Sequence, residues 1–148
     1  MSSVVCPDAS LSLKLVLSEP DSDLARTLWA TWLEQQAVLI VPMLWGYEVT
    51  SVLRNHVYRN LLSSELANDA FAQIHQLTVQ MVDPIGLHQR AWELARHFNR
   101  PAAYDAHYLA LAEMAGCPFW TADERLFNAV RTELEWVHWL GNYSPATS

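Results

Sequence analysis

Short apolar runs of strand length alternate with amphipathic helical patterns along the chain. Strands are predicted over residues 3–7, 37–42, 79–82, 117–121 and 134–140. Helices are predicted over 21–36, 43–62, 63–80, 85–99, 102–116 and 124–132. Strands that alternate with helices form βαβ units with parallel pairing and right-handed crossovers. We therefore expect an α/β protein, a three-layer α/β/α sandwich around a mostly parallel sheet of about five strands.

The segment ASLSLKLVL, residues 9–17, fits two structures. Leucine at every second position from Leu11 to Leu17 is typical of a strand. A short helix opened by Asp8 or Ser10 as its N-cap is the other interpretation, and we favour it.

The length of 148 residues suits one domain, 1–148, with a core over about 3–140 and a polar tail over 141–148. No apolar stretch approaches the roughly 20 residues that cross a bilayer, and the first residues lack a secretory pattern. We expect a cytoplasmic protein without membrane contact. Cys6 and Cys117 are expected to be buried free thiols, as is usual in a reducing compartment.

The formal net charge is −7, with nine Lys and Arg against sixteen Asp and Glu. This balance counts against nucleic-acid binding by a broadly basic surface. It leaves open a nuclease whose acidic site is neutralised by metal ions. The four glycines form neither a dinucleotide-binding nor a P-loop motif, which argues against those nucleotide-binding folds.

Four acidic residues fall at comparable places in this layout. Asp8 and Asp123 directly follow the first and fourth strands, while Glu48 and Asp105 lie in early turns of helices. The C-terminal ends of parallel strands share one edge of a sheet, where open α/β proteins bind ligands. The four carboxylates can therefore meet at that edge.

Each acid except Glu48 also has a purely structural interpretation. Asp8 and Asp123 can be helix N-caps, and Asp105 can be a favourable charge in a first helical turn. Glu48 lies among apolar or small residues of a helix that should pack on the sheet, where an unpartnered carboxylate is costly. A divalent ion such as Mg²⁺ or Mn²⁺ would offset repulsion within such a cluster and would suit phosphodiester hydrolysis.

Three segments resemble the signature regions of the PIN-domain family. They are VCPDASLSLKLVLSEP, LWGYEVTSVLRN and YDAHYLALAEMAGCPFWTADERLF, which occur in the family's order over nearly the whole chain. The resemblance implies a Mg²⁺- or Mn²⁺-dependent ribonuclease. Small single-domain prokaryotic members of this family are commonly toxins of VapBC-type toxin–antitoxin pairs. The resemblance therefore implies an RNA substrate and a small antitoxin partner.

Carried over by position, the family's acidic quartet falls on Asp8, Glu48, Asp105 and Asp123. By this resemblance Asp8 and Asp105 would hold the main metal ion, while Glu48 and Asp123 would complete the site or position water. Thr121 would support the acids by hydrogen bonding, and Ser10 would do the same or cap a helix.

Two further sets of residues suggest partner contacts. Trp29 and Trp32 make the 21–36 helix apolar over more than half its circumference, which predicts a homodimer or antitoxin surface there and along the 63–80 helix. The core is expected to contain Trp45, Trp92, Trp120 and Trp136. Five basic residues within reach of the carboxylate edge are candidates for phosphate contacts: Lys14, Arg54, Arg59, Arg100 and Arg125.

Two alternatives remain at this stage. One is a receiver-like domain phosphorylated on the aspartate after the first strand, which would need a lysine near the later strands, whereas Lys14 is the single lysine. The other is a PIN-like module that binds RNA or protein with little turnover.

Overall fold

The computed structural model describes residues 3–146, and its centre is a sheet of five strands. The strands are β1 (Val4–Pro7), β2 (Val38–Val41), β3 (Gln80–Met81), β4 (Phe119–Thr121) and β5 (Val137–Trp139). Their order in the sheet is β3-β2-β1-β4-β5, and every pairing is parallel. The predicted α/β class and the sheet of about five strands are confirmed.

Seven α-helices connect and cover the strands. They are α1 (Ala9–Lys14), α2 (Ser22–Glu34), α3 (Leu44–Tyr58), α4 (Ser64–Ile74), α5 (Leu87–His97), α6 (Tyr104–Ala115) and α7 (Glu124–Val130). A 3-10 turn, Leu140–Asn142, follows β5. Residues 9–14 are helical, as favoured over the strand interpretation. Residues 147–148 of the predicted polar tail lie outside the described part of the chain.

Side-chain and glycine caps fix where several helices begin and end. The Asp8 carboxylate caps α1 by accepting from the backbone N–H of Leu11, 3.0 Å away. Ser63 caps α4, because its hydroxyl accepts from the backbone N–H of Leu66. Gly116 ends α6 in the left-handed conformation at φ 65°.

The sheet is buried on both faces by separate apolar clusters. The smaller cluster joins α2 to the sheet through Leu28, Trp29 and Trp32. The larger one contains residues of α3, α5, α6 and α7, with Trp45 and Phe119 fully buried at its centre. These two layers of helices around the sheet confirm the three-layer arrangement.

The prediction that Trp29 and Trp32 form an exposed apolar surface is wrong. Both are buried, at 4% and 5% exposed, because α2 packs its widest apolar face on the sheet beside Leu39 and Leu140. Trp92, predicted to fill the core, is instead 60% exposed on the outer side of α5.

The strand order reverses direction at β1. From this central strand the chain proceeds outward through β2 and β3, and it later returns to place β4 and then β5 on the other side. Ligands of open α/β sheets bind at such switch points, outside the C-terminal ends of the strands. The ends of β1 and β4 therefore define the edge where a functional site is expected.

Within residues 3–146, no helix has the length and apolar character needed to cross a membrane.

Candidate active site

Asp8 stands at the switch point, immediately after β1. Its backbone N–H donates to the carbonyl of Trp120 in the neighbouring strand, 3.0 Å away. The side chain is only 6% exposed and accepts hydrogen bonds from the Ser10 hydroxyl at 2.7 Å and from Leu11 N–H at 3.0 Å. Burial raises the pKa of Asp8 from 3.8 to about 7 despite these bonds, because a buried carboxylate loses its hydration.

Thr121 ties the end of β4 to the end of β1. Its fully buried hydroxyl donates to Asp8 Oδ2 at 2.5 Å and accepts from the backbone N–H of Asp123 at 2.9 Å. The Ser10 hydroxyl lies 3.3 Å from that of Thr121 and accepts from Ala122 N–H. The resemblance implied that Thr121 would support the acids by hydrogen bonding, and its bond to Asp8 is present. Ser10 belongs to the same network of hydrogen bonds.

Asp123 caps α7, as its structural interpretation anticipated. Its Oδ1 atom accepts from the backbone N–H groups of Arg125 and Leu126, at 3.0 and 3.2 Å. These bonds use Oδ1, and Oδ2 accepts no hydrogen bond among the described residues. A capping role and a place at the carboxylate edge are thus compatible for this residue.

Glu48 lies on α3 with one carboxylate oxygen buried and unpaired. The Tyr108 hydroxyl lies close enough to Glu48 to lower its pKa, but neither Oε1 of Glu48 nor that hydroxyl forms a hydrogen bond of standard geometry among the described residues. Burial is the main cause that raises the pKa of Glu48, Tyr108 lowers it in part, and the charge of Asp105 raises it further. An unpaired buried carboxylate oxygen is costly, so the position is suited to a cation that the protein itself does not supply.

Asp105, in the first turn of α6, is half-buried and contacts a cation. Its Oδ2 atom lies 3.3 Å from Nη2 of Arg100. Burial raises the pKa of Asp105, Arg100 lowers it, and the charge of Asp123 raises it. This carboxylate therefore experiences attraction and repulsion at once.

Repulsion from like charges connects Asp105 to the other three predicted acids. After the larger effect of burial, the charge of Asp105 adds to the raised pKa of Asp8 and of Glu48. Asp123 acts in the same way on Asp105. These pairwise effects place Asp105 within range of the charge of each of the other three acids.

The donor set fits a hard divalent cation in its chemistry. Its atoms are carboxylate oxygens, which Mg²⁺ and Mn²⁺ prefer, and Glu48 offers an oxygen without another partner. Across residues 3–146, no three acidic, histidine or cysteine side chains are already arranged to hold an ion together. Mg²⁺ usually takes only one or two carboxylates directly and keeps several waters, so a complete protein cage is not a requirement.

Two features of this region were not predicted. Tyr108 places its buried hydroxyl beside Glu48, and its position three residues after Asp105 on the same helix face was the available signal. Ser12 accepts from the indole N–H of Trp45 at 3.0 Å and donates to the Asp8 carbonyl at 2.8 Å. This link fixes the start of α3 against α1, and nothing in the sequence pattern indicated it.

Comparisons with known proteins were consistent with one another. The PIN domain family profile matches residues 5–132. A VapC ribonuclease of Mycobacterium bovis is 34% identical over 123 residues, which cover 83% of this chain and 88% of the relative. Ribonuclease VapC9 of Mycobacterium tuberculosis matches with the same identity and coverage.

Solved structures with the same fold include two from prokaryotes. PAE2754 of Pyrobaculum aerophilum superposes with a TM-score of 0.64 at 20% identity, covering 87% of each chain. Mycobacterium tuberculosis VapC20, described as a sarcin-ricin loop cleaving toxin, superposes with a TM-score of 0.61 at 21% identity, covering 85% of this chain and 94% of VapC20. The profile match over most of the chain, together with relatives above 30% identity, shows that this protein is a member of the PIN domain family.

Proposed function

We propose that this protein is a divalent-metal-dependent endoribonuclease that hydrolyses RNA phosphodiester bonds at the edge formed by Asp8, Glu48, Asp105 and Asp123. Relatives that are named VapC ribonucleases support ribonuclease activity. They also support the narrower proposal that the protein is the toxin of a type II toxin–antitoxin pair.

The observation that carries the proposal is the state of the buried carboxylates. Asp8 is buried with a pKa of about 7, Glu48 has an unpaired buried oxygen, and both are repelled by Asp105. The burial and mutual repulsion of these carboxylates are unfavourable, and a bound cation would offset both effects. The arrangement is therefore best explained as a site for Mg²⁺ or Mn²⁺.

The residues present would divide the work. Asp8 and Asp105 would be the main ligands, Glu48 and Asp123 would complete the site or orient a water molecule, and Thr121 would hold Asp8 in place through its hydroxyl. A bound Mg²⁺ or Mn²⁺ would neutralise charge on the phosphate and act as a Lewis acid during hydrolysis.

An antitoxin partner would need an apolar surface, and one lies on α3 and α4. Tyr58, Leu61, Leu66 and Phe71 are 74%, 61%, 58% and 45% exposed along these helices and the turn between them. Exposed apolar groups of this density mark protein contacts. We place the antitoxin contact there, which keeps the 63–80 helix of the sequence prediction and abandons the 21–36 helix. A homodimer remains a further proposal, and its test is the molar mass in solution.

Of the two alternatives that the sequence left open, one is inconsistent with the fold. The sheet order 3-2-1-4-5 differs from the 2-1-3-4-5 order of receiver-like folds, so a receiver domain is excluded. A PIN-like binding module with little turnover shares the same fold and acids. Only a rate measurement separates it from a nuclease.

The test is cleavage of a mixed tRNA and structured-RNA pool by the purified protein in Mn²⁺, Mg²⁺ or EDTA. Asp105→Asn is compared with Asp69→Asn, which removes an exposed carboxylate of α4. We expect discrete cuts by the wild type and Asp69→Asn in either metal, and loss of cleavage in EDTA or in Asp105→Asn. A second readout is the melting temperature, which metal should raise less in Asp105→Asn than in the wild type.

Equal cleavage by all three proteins would indicate a contaminating nuclease. Metal-dependent stabilisation without cleavage of any RNA in the pool would favour the binding module.

A further inference from the structure

We propose that Arg100 binds a backbone phosphate of the RNA substrate beside Asp105. This inference rests on the proposed function, since it assigns a substrate contact at the same edge. It adds a specific cation to a region whose other described features are acidic or uncharged.

The end of α5 determines where Arg100 lies. Asn99 adopts the left-handed conformation at φ 51°, and the backbone N–H of Arg100 donates to the carbonyl of Ala95 at 2.8 Å. This pattern is a Schellman-type helix end, which turns the chain sharply away from the helix axis. Pro101 follows and prevents the helix from continuing. The position of Arg100 is thus fixed by the backbone and does not depend on its ion pair.

The guanidinium of Arg100 is incompletely paired. A single contact joins its Nη2 atom to Asp105 Oδ2 at 3.3 Å, whereas arginine and carboxylate commonly form two parallel hydrogen bonds. Its Nε atom is buried and has no acceptor among the described residues, while the side chain as a whole is 22% exposed. The enclosed Nε lies out of reach of an incoming anion, so the donors left for a phosphate are at the exposed end of the guanidinium, where Nη1 forms no hydrogen bond among the described residues.

Arg100 is distinguished from the other four basic residues that the sequence suggested. Lys14 lies 3.8 Å from Glu19, and Arg54 lies over the ring of Tyr58. Among residues 3–146, Arg100 is the one of these five whose charged side chain forms an ion pair with one of the four carboxylates. Its charge therefore sits where a phosphodiester would have to approach.

The charge balance of the protein favours such a contact. The chain carries a net charge of −7, and a phosphate that approaches four carboxylates is repelled by them. A guanidinium presents several donors in a planar fork that matches phosphate oxygens. The competing explanation is that Arg100 only holds Asp105 in position.

The salt dependence of RNA binding distinguishes these explanations. Fluorescence anisotropy is measured with a 5′-fluorescein single-stranded oligoribonucleotide of mixed sequence, at 4 °C in Mg²⁺, with probe integrity checked on a gel. Removing one phosphate contact lowers the slope of log K against log salt by about 0.7 for a single strand. We expect Arg100→Gln to lose that slope and to bind roughly tenfold more weakly at low salt.

Two further variants serve as controls. Arg100→Lys should keep the slope but bind more weakly than the wild type, because lysine keeps the charge and lacks the fork. Arg96→Gln, which removes an exposed arginine from the last turn of the same helix, should match the wild type. Melting temperatures of all variants show that each remains folded.

An unchanged slope in Arg100→Gln would overturn the proposal and leave Arg100 as a positioning residue for Asp105. Failure of the wild type to bind the oligonucleotide would overturn it as well. The slope change in a protein that cleaves no RNA would support the Arg100 contact while overturning the nuclease proposal, so the two failures are distinguishable.

Discussion

Replacing Asp8 by Asn should change how the stability of the protein depends on pH. The carboxyl is 6% exposed, and burial raises its pKa from 3.8 to about 7. A shift of roughly 3 pH units corresponds to about 4 kcal/mol between the charged and neutral forms. Asn resembles the neutral form, since its oxygen can keep the α1 cap and its amide can donate toward Thr121.

The direction in which the stability changes with pH follows from which state of the protein binds the proton. Between pH 4 and 7 the Asp8 carboxyl is largely protonated in the folded state and ionised in the unfolded state. Its contribution to the free energy of unfolding is therefore fully present below pH 4 and is lost as the pH rises through 7. The Asn variant lacks this titration. The variant should become more stable than the wild type with rising pH, by up to about 4 kcal/mol at pH 8.

The assay is urea unfolding followed by tryptophan fluorescence from pH 4.5 to 8.5 in EDTA. Asp69→Asn reports the effect of losing an exposed charge and should differ from the wild type by less than about 0.5 kcal/mol. Repeating the pH 8 measurement in Mn²⁺ should narrow the gap for Asp8→Asn, because an ion bound to the wild type stabilises it. A gap that stays constant across the pH range would refute the reasoning, since it would mean that Asp8 is not desolvated.

Two other substitutions test particular contacts. Thr121→Val removes the buried hydroxyl that donates to Asp8 and accepts from the Asp123 N–H, and it should lower the free energy of unfolding by about 1–3 kcal/mol in urea titrations; a neutral result would mean that water replaces the hydroxyl. Trp32→Ala should cost about 3–5 kcal/mol because the side chain is buried on the sheet, while Trp92→Ala should cost less than about 1 kcal/mol. The reverse order would restore the sequence prediction that Trp32 lies on the surface.

Hydrophobic period and strand length were sufficient to predict the fold. Continuous apolar runs such as Val38–Val41 are recognisable as buried parallel strands, and the sheet order then places Asp8 and Thr121 at one edge. The helix over 9–14 was harder to predict, because its leucines also recur at every second residue, as they would in a strand. The Asp8 cap decides it, through one hydrogen bond that sequence suggests but cannot measure.

The sequence pattern predicted the wrong exposure for Trp29, Trp32 and Trp92. A helix that is apolar around much of its surface can either expose the excess or bury it under neighbouring segments. The tryptophans Trp29 and Trp32 of α2 are enclosed in part by Leu11 and Leu140, which lie outside this helix. Trp92 is the opposite case, because a large apolar side chain that was expected in the core is 60% exposed. Such outcomes depend on tertiary packing that one helix's pattern does not encode.

The carboxylate region was predictable in position but not in electrostatic state. The parallel sheet predicted that Asp8 and Asp123 would lie at the same edge, where each also caps a helix. The unpaired oxygen of Glu48 and the contact of Arg100 with Asp105 depend on side-chain orientations several residues from any strand. Orientation at this level is set by packing of whole helices.

The bond between Thr121 and Asp8 joins residues 113 positions apart in the chain. Strand β1 is synthesised before β4, the neighbour with which it pairs in the sheet, and more than a hundred residues separate the two. Contacts of such long separation form late, because the intervening chain must be ordered first. A growing polypeptide therefore holds Asp8 without the hydroxyl that fixes it until β4 has been synthesised, and the candidate active site cannot form before that point.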